Sequence, residues 1–166
     1  VVLSYLTVAQ TGIWRTSIDL WNAVIKEEPD AAPLAYYNRG QEFMGTGQLE
    51  KAIADYTMAV TLNPYYHEAY FNRGIAFEKL GRTEQAIADY ERTFSLNSSS
   101  YQALNNRGVL YGQAGSYDKA IELFSRSLAI NPAYPSSYFN RGFTYSLIGR
   151  REDALADLQL LIAHLA

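Results

Sequence analysis

Four asparagines recur along the sequence at a fixed interval, and each is followed by arginine and glycine. They stand 34 residues apart, at Asn38, Asn72, Asn106 and Asn140. An asparagine amide offers two hydrogen-bond donors and an acceptor. One amide per repeat could therefore hold the backbone of an extended polypeptide without reading its side chains. The alternative, that each asparagine braces a neighbouring helix, stays open at this point.

Residues able to perform catalysis are scarce in the chain. His67 and His164 are the only histidines, and neither has an acid at the spacing of a metal site or of an oriented general base. The sequence has no cysteine, and its glycines form no phosphate-cradling loop between a strand and a helix. We therefore expect a protein that is not an enzyme, with no catalytic residue, no metal site and no cofactor.

The interval of 34 residues is shared by other small residues. One glycine ladder follows the Asn-Arg pairs, at Gly40, Gly74, Gly108 and Gly142. The two other ladders are Ala52, Ala86, Ala120 and Ala154, and Gly47, Gly81, Gly115 and Gly149. Self-similarity at a period of 20 to 50 residues is typical of stacked-repeat proteins. The elements that position the asparagines are therefore expected to be repeats of one structural unit.

Each period is predicted to hold two helices, because its apolar residues recur at three- and four-residue steps. In the first full period, one helix is expected over about 34–46 and to close at Gly47, since glycine readily adopts the left-handed conformation of a helix end. The other is expected to begin near Glu50 and to end at Asn63. The equivalent joint at 97–100 lacks proline and is predicted to be softer.

Two packing arrangements are expected within each pair of helices. Gly40 should allow the helices to approach closely, with Ala52 filling the facing small site. The arginine before each such glycine should form an ion pair with an acid in the second helix. The expected pairs are Arg39–Asp55, Arg73–Asp89 and Arg141–Asp157. Arg107 has Leu123 at the corresponding place and Glu122 beside it, so the pairing cannot be uniform.

The two ends of the sequence depart from the period. Aligning Gly12 with Gly47 places Trp14 in register at a step of 35, which indicates a degenerate leading repeat in residues 1–32. The segment 154–162 is apolar nearly all round, which indicates either a covered end or a surface for self-association. A start without methionine indicates a piece of a longer protein.

With these residues the sequence resembles the tetratricopeptide repeat family. That family's pattern is matched in the first full repeat by Gly40, Phe43, Ala52, Tyr56, Ala59 and Pro64. The resemblance implies an all-α fold, a right-handed α-solenoid of stacked antiparallel helix hairpins. Its expected divisions are a degenerate repeat at 1–32 and four repeats at 33–66, 67–100, 101–134 and 135–166.

The resemblance also implies a binding surface, because the first helices of such repeats line a concave groove that holds an extended peptide or a partner helix. Tyr37, Phe71 and Phe139 would contact apolar side chains there, since aromatic anchors are enriched at interfaces. Packing between repeats is the alternative role for each of them. The expected partner-binding residues are Asn38, Asn72, Asn106, Asn140, Tyr37, Phe71, Asn105, Phe139 and Gln41.

Several partner classes are excluded by charge. The net charge is −3 and no basic stripe exists, which argues against nucleic acid and anionic membranes. No run of 18 apolar residues is present that would insert into a membrane. Binding of the acidic chaperone tails known for this family requires lysine and arginine in the groove. The matching places carry Tyr37, Gln41, Gln102 and Asn106.

The sequence thus predicts a non-catalytic protein–protein interaction scaffold whose partner is a protein or peptide segment. Two alternatives stay open. One is a self-assembly module that uses the apolar C-terminal helix, and the other is the targeting arm of a larger enzyme. The compartment is left undetermined.

Overall fold

The computed structural model describes residues 16–165, and within this range the chain is entirely helical outside its turns. Gly12 and Trp14, on which the predicted leading repeat was aligned, lie outside the described residues. The helices are α1 (Ser17–Glu27), α2 (Pro33–Gly45), α3 (Leu49–Leu62), α4 (His67–Lys79), α5 (Thr83–Leu96), α6 (Tyr101–Gln113), α7 (Tyr117–Ile130), α8 (Pro135–Leu147) and α9 (Arg151–Leu165). The predicted all-α solenoid of helix hairpins is confirmed.

The described chain divides into two units, with the boundary between Ala86 and Ile87 inside α5. In the first unit, α2 packs closely against α3, and α4 and α1 flank this hairpin. In the second unit, α6 pairs with α7 and α8 pairs with α9, while α7 also contacts α8. Each hairpin, whether α2–α3, α6–α7 or α8–α9, consists of the first and the second helix of one predicted repeat.

The ends of the first helices are set by glycine, as predicted. Gly47 has φ +74°, in the left-handed region that favours glycine, and its three counterparts have the same conformation. The Gln48 N–H then donates to the Phe43 carbonyl at 2.8 Å, which satisfies an otherwise unpaired group at the helix end. This turn reverses the chain so that α3 returns along α2.

The second helices end at asparagine, also as predicted. The Asn63 side chain accepts a hydrogen bond from the Tyr65 N–H at 3.1 Å, which forms a compact turn before the next helix. Asn97 accepts from the Ser99 N–H with the same geometry, although no proline follows it. The greater softness of that joint stays a prediction.

The predicted close approach of the helices at Gly40 is confirmed, but the nearest atoms of the facing helix belong to Tyr56 and not to Ala52. A Cβ atom at Gly40 would lie 2.8 Å from Cε1 of Tyr56, and one at Gly108 would lie 2.6 Å from Cε1 of Phe124. The glycines therefore make room for an aromatic ring on the opposing helix, which the one-dimensional pattern did not show. Ala52 is itself fully buried.

Two of the predicted ion pairs are confirmed. Arg39 donates from Nε and Nη2 to the two carboxylate oxygens of Asp55, at 2.8 and 2.7 Å. Arg141 binds Asp157 in the same two-pronged way, at 2.8 and 2.6 Å. Both aspartates are buried, and the hydrogen bond from Arg39 to Asp55 raises the pKa of the arginine. Such paired geometry fixes the two helices of a hairpin in register.

The third repeat departs from this arrangement, as Leu123 predicted. Arg107 pairs with Glu91 through Nη2 at 3.1 Å, while Glu122 lies 3.6 Å from Arg126 instead. Leu123 supplies no acceptor, and the buried Nε of Arg107 has no hydrogen-bond partner among the described residues. This guanidinium is held less completely than those of Arg39 and Arg141.

The arginines also reach back to the second helix of the preceding repeat. Arg73 donates to the Thr57 hydroxyl at 3.0 Å, and Arg141 donates to the Ser125 hydroxyl at 2.8 Å. Arg39 donates in the same way to Asn22 of α1, at 2.7 Å. Arg39 and Arg141 therefore each tie together three helices, their own and the two second helices on either side.

Candidate functional site

In the first unit, Tyr37 connects two successive first helices. Its hydroxyl oxygen lies 3.0 Å from the donating Nδ2 of Asn72 in α4 and 3.0 Å from Nε2 of Gln41 in α2. Its ring packs at 5.9 Å from Tyr56 and 4.9 Å from Tyr66, centroid to centroid. Burial raises the pKa of Tyr37. Tyr37 and Asn72 thus have a packing role, whether or not they also contact a partner.

Asn38 and Phe71 lie on the same helices and are half-buried. Gln41 is exposed, and its Nε2 donates to the Tyr37 hydroxyl. The first unit therefore presents two amide side chains at its surface, Asn38 in part and Gln41 more fully.

In the second unit, Asn105 lies inside the protein. It is 4% exposed, and its Oδ1 accepts hydrogen bonds from the Ser137 hydroxyl and from Nδ2 of Asn140, both at 3.0 Å. Its Nδ2 donates to Oδ1 of Asn106 at 3.2 Å. Asn105 therefore differs from the prediction of a groove residue, because both ends of its amide are used within a buried network.

Two of the four asparagines of the ladder make an equivalent contact. Asn72 and Asn140 each donate from Nδ2 to the residue 35 positions earlier, which is Tyr37 in one unit and Asn105 in the other. These two amides brace successive first helices with their nitrogen.

An apolar cleft of about 400 Å³ opens between α6 and α8 in the second unit. Three side chains of α8 at four-residue steps form its outer wall, and each of them is more than half exposed: Phe139, Phe143 and Leu147. The Phe139 and Phe143 rings lie 6.4 Å apart and nearly parallel. Val109, Gly112 and Phe124 are among the residues that line its other side, and no ionisable side chain lines it.

Sequence reasoning placed Phe139 in the binding set but missed Leu147. The sequence signal for Leu147 was the recurrence of apolar residues every four positions along α8, which continues beyond the Asn-Arg-Gly motif. Phe139, Phe143 and Leu147 form an exposed apolar stripe along α8, and such stripes are uncommon on protein surfaces unless they serve an interaction. The cleft is therefore the most distinctive part of the candidate site.

Metal-binding clusters and membrane-spanning helices are absent from the part of the chain that the structure describes. Residues 16–165 hold no cluster of three or more histidine, cysteine or acidic side chains able to bind a metal ion. None of the helices within that range has the length and apolar character needed to cross a bilayer.

Comparison with known families identifies the repeat. The tetratricopeptide repeat profile matches residues 71–135, and a second profile, TPR repeat, matches residues 40–81. No curated protein matches the sequence significantly.

Solved structures of repeat proteins share the fold. A crystal structure of MamA is 26% identical, covers 89% of this chain and 85% of its own, and has a TM-score of 0.84. A tetratricopeptide repeat protein from Parabacteroides merdae ATCC 43184 is 24% identical over 99% of this chain and 65% of its own, with a TM-score of 0.81. The first TPR of Spaghetti (RPAP3), bound to the HSP90 peptide SRMEEVD, is 21% identical over 70% and 93%, with a TM-score of 0.68.

The profile matches, the hairpin fold and these neighbours agree, and they show a repeat scaffold for protein–protein interaction of a typically non-catalytic kind. The chain belongs to the tetratricopeptide repeat family.

Proposed function

We propose that this protein captures an extended or helical segment of a partner protein on the exposed face of its first helices. The observation that carries the proposal is the apolar cleft beside Phe139, Phe143 and Leu147. Its volume of about 400 Å³ suits one or two large apolar side chains, and transferring such side chains out of water is the main source of affinity at interfaces. The partner segment therefore carries an aromatic or large aliphatic anchor.

The asparagine side chains of the ladder form hydrogen bonds with the partner's backbone in this proposal. Oδ1 of Asn72 and of Asn140 accepts hydrogen bonds from partner N–H groups, because the nitrogen of each amide is already bonded within the chain. Asn38 and Asn106 donate from Nδ2 to partner carbonyls. Tyr37, Gln41 and Phe71 extend the contact in the first unit, while Asn105 supports it from inside.

The lack of lysine and arginine at the corresponding groove positions argues against an acidic peptide as the partner. The peptide SRMEEVD that the Spaghetti domain binds carries four carboxylate groups counting its terminus. Lysine and arginine would be needed to hold such groups, and the corresponding places here carry Tyr37, Gln41, Gln102 and Asn106. The proposed partner segment is therefore apolar and near neutral.

We also propose that the chain holds a degenerate repeat at 1–32 before four repeats at 33–66, 67–100, 101–134 and 135–166. The contact of Arg39 supports this division, since Asn22 stands 35 residues before Thr57, the residue that Arg73 reaches in the next repeat. This step of 35 residues is one residue longer than the repeat of 34, and the alignment of the leading repeat requires the same step.

The test is a selection from a random peptide library against the immobilised protein, followed by titration of the selected peptides. We expect enriched peptides with an aromatic or large aliphatic anchor and few acidic residues. Phe139→Ala should weaken their binding at least about tenfold, the usual effect of removing a central anchor. Tyr65→Ala is the matched control, because Tyr65 is an exposed aromatic residue in the turn before α4. Selected peptides that bind Phe139→Ala as well as wild type would contradict the proposal.

A further inference from the structure

The second helix of the fourth repeat exposes residues whose counterparts are buried in the first and third repeats. Leu158 of α9 is 39% exposed, whereas its counterparts Tyr56 and Phe124 are each 1% exposed. Ile162 is 67% exposed, whereas Val60 and Leu128 are 7% and 6% exposed. The outer face of α9 thus continues the surface by which repeats pack on each other.

The interior repeats show what kind of element covers such a face. Val60 in α3 packs against Ala69 of the next first helix, with Tyr66 and Tyr70 beside it. The covering element is therefore a helix that lies along the second helix. The described part of the chain has no helix after α9, so in this structure the face is open.

We propose that a second copy of this protein covers the α9 face, through antiparallel packing of the two α9 helices about a two-fold axis. Leu155, Leu158 and Ile162 lie on one stripe of the helix, separated by three and four residues. The order of side chains along this stripe, a leucine between two large aliphatic residues, is almost the same from either end of the helix. In an antiparallel pair, Leu155 of each copy lies against Ile162 of the other, and the two Leu158 side chains meet at the centre, which is the self-complementarity that a two-fold interface requires.

Charge supports the antiparallel direction. Arg151 is exposed in the first turn of α9, where a positive charge opposes the helix dipole, and the corresponding positions in the other second helices are the uncharged Leu49, Thr83 and Tyr117. In the antiparallel pair, each Arg151 lies beside the C-terminal end of the other α9. The carbonyl groups there carry partial negative charge, so the arginine is placed favourably.

This surface is distinct from the cleft at Phe139, so self-association and partner capture are separable. One helix face is small compared with the roughly 1,200 Å² buried in stable complexes, and the dimer is therefore weak and reversible. Its formation depends on protein concentration and brings two partner-binding surfaces into one assembly.

Sedimentation equilibrium of the whole protein over a wide concentration range tests the proposal. Wild type should change from monomer to dimer as concentration rises. Ile162→Glu should raise the dissociation constant at least about tenfold, because it places two charges in the apolar contact. Leu160→Glu is the matched control, since Leu160 is 45% exposed on a different side of the same helix. Arg151→Glu should weaken association several-fold, and circular dichroism should show all three variants folded.

The alternatives give different results. A wild-type protein that stays monomeric over the whole range would overturn the proposal, and so would a dimer that Ile162→Glu does not weaken. Equal weakening of the dimer by Leu160→Glu would place the contact elsewhere on α9 and overturn the proposal. Loss of the dimer in Phe143→Ala, with the dimer intact in Ile162→Glu, would place the contact at the cleft and also overturn the proposal.

Discussion

Gly108 in α6 offers a sharp test of how the two helices of a hairpin pack. A Cβ atom at this position would lie 2.6 Å from Cε1 of Phe124, and the Phe124 ring is buried and cannot move away freely. Gly112 lies one turn further along α6, and a Cβ atom there would meet the Cβ of Ala120 at 3.7 Å, an ordinary contact. Alanine should therefore fit at Gly112 and clash at Gly108.

The matched pair separates packing from helix propensity. Replacing either glycine with alanine favours the helix by about 1 kcal/mol, and only Gly108→Ala adds an overpacking cost of about 1–3 kcal/mol. We therefore expect Gly112→Ala to raise the free energy of unfolding by about 1 kcal/mol over wild type. Gly108→Ala should be about 1–3 kcal/mol less stable than Gly112→Ala, because the propensity gain cancels in that comparison.

Urea unfolding followed by far-ultraviolet circular dichroism measures both values. The denaturant slope should be the same for the two variants, since the surface exposed on unfolding hardly changes. If the two alanine variants unfold at the same urea concentration, the close approach of α6 to the Phe124 ring is refuted.

Two further predictions concern the interior. Replacing Asn105 with alanine removes the acceptor of Ser137 and Asn140, so thermal unfolding should show that the free energy of unfolding falls by about 1–3 kcal/mol. The control Asn38→Ala should change the free energy of unfolding little. Equal effects of the two substitutions would contradict the buried network. Burial raises the pKa of Tyr66 to about 12 from the ordinary value of 10.0, so the folded state holds this proton more tightly than the unfolded chain. Stability from Tyr66 is complete below about pH 10 and is lost as the pH rises toward 12, so Tyr66→Phe should unfold at a higher pH than wild type in an alkaline titration followed by circular dichroism.

The helix ends and the main ion pairs were predictable because they rest on local rules and on a repeated spacing. Gly47 closes α2 since glycine alone adopts a positive φ without strain. Asp55 stands at the same offset from Arg39 as Asp157 does from Arg141, and the pairs follow from that offset. Both features can be read from the order of residues along the chain.

The side-chain contacts between helices were less predictable. The ring of Tyr56, and not the methyl group of Ala52, lies nearest to Gly40, because the offset between two packed helices is set by the shapes of all the side chains in the contact. Asn105 occupies the position that Tyr37, Phe71 and Phe139 hold in the other repeats, and this favoured an exposed role for it. Its burial depends on Ser137, which stands where the other repeats carry alanine and gives the amide a partner.

The proposed contact of the first helices with a partner segment can be followed residue by residue by nuclear magnetic resonance. A peptide selected against the protein would be titrated into the ¹⁵N-labelled chain, and the side-chain amide signals of Asn106 and Asn140 would be followed together with the backbone signals of α8. We expect these signals to shift until the peptide saturates the protein, while those of Lys119 and Glu122 on the exposed side of α7 stay in place. Shifts confined to α7, with the asparagine amides unmoved, would refute the proposed contact.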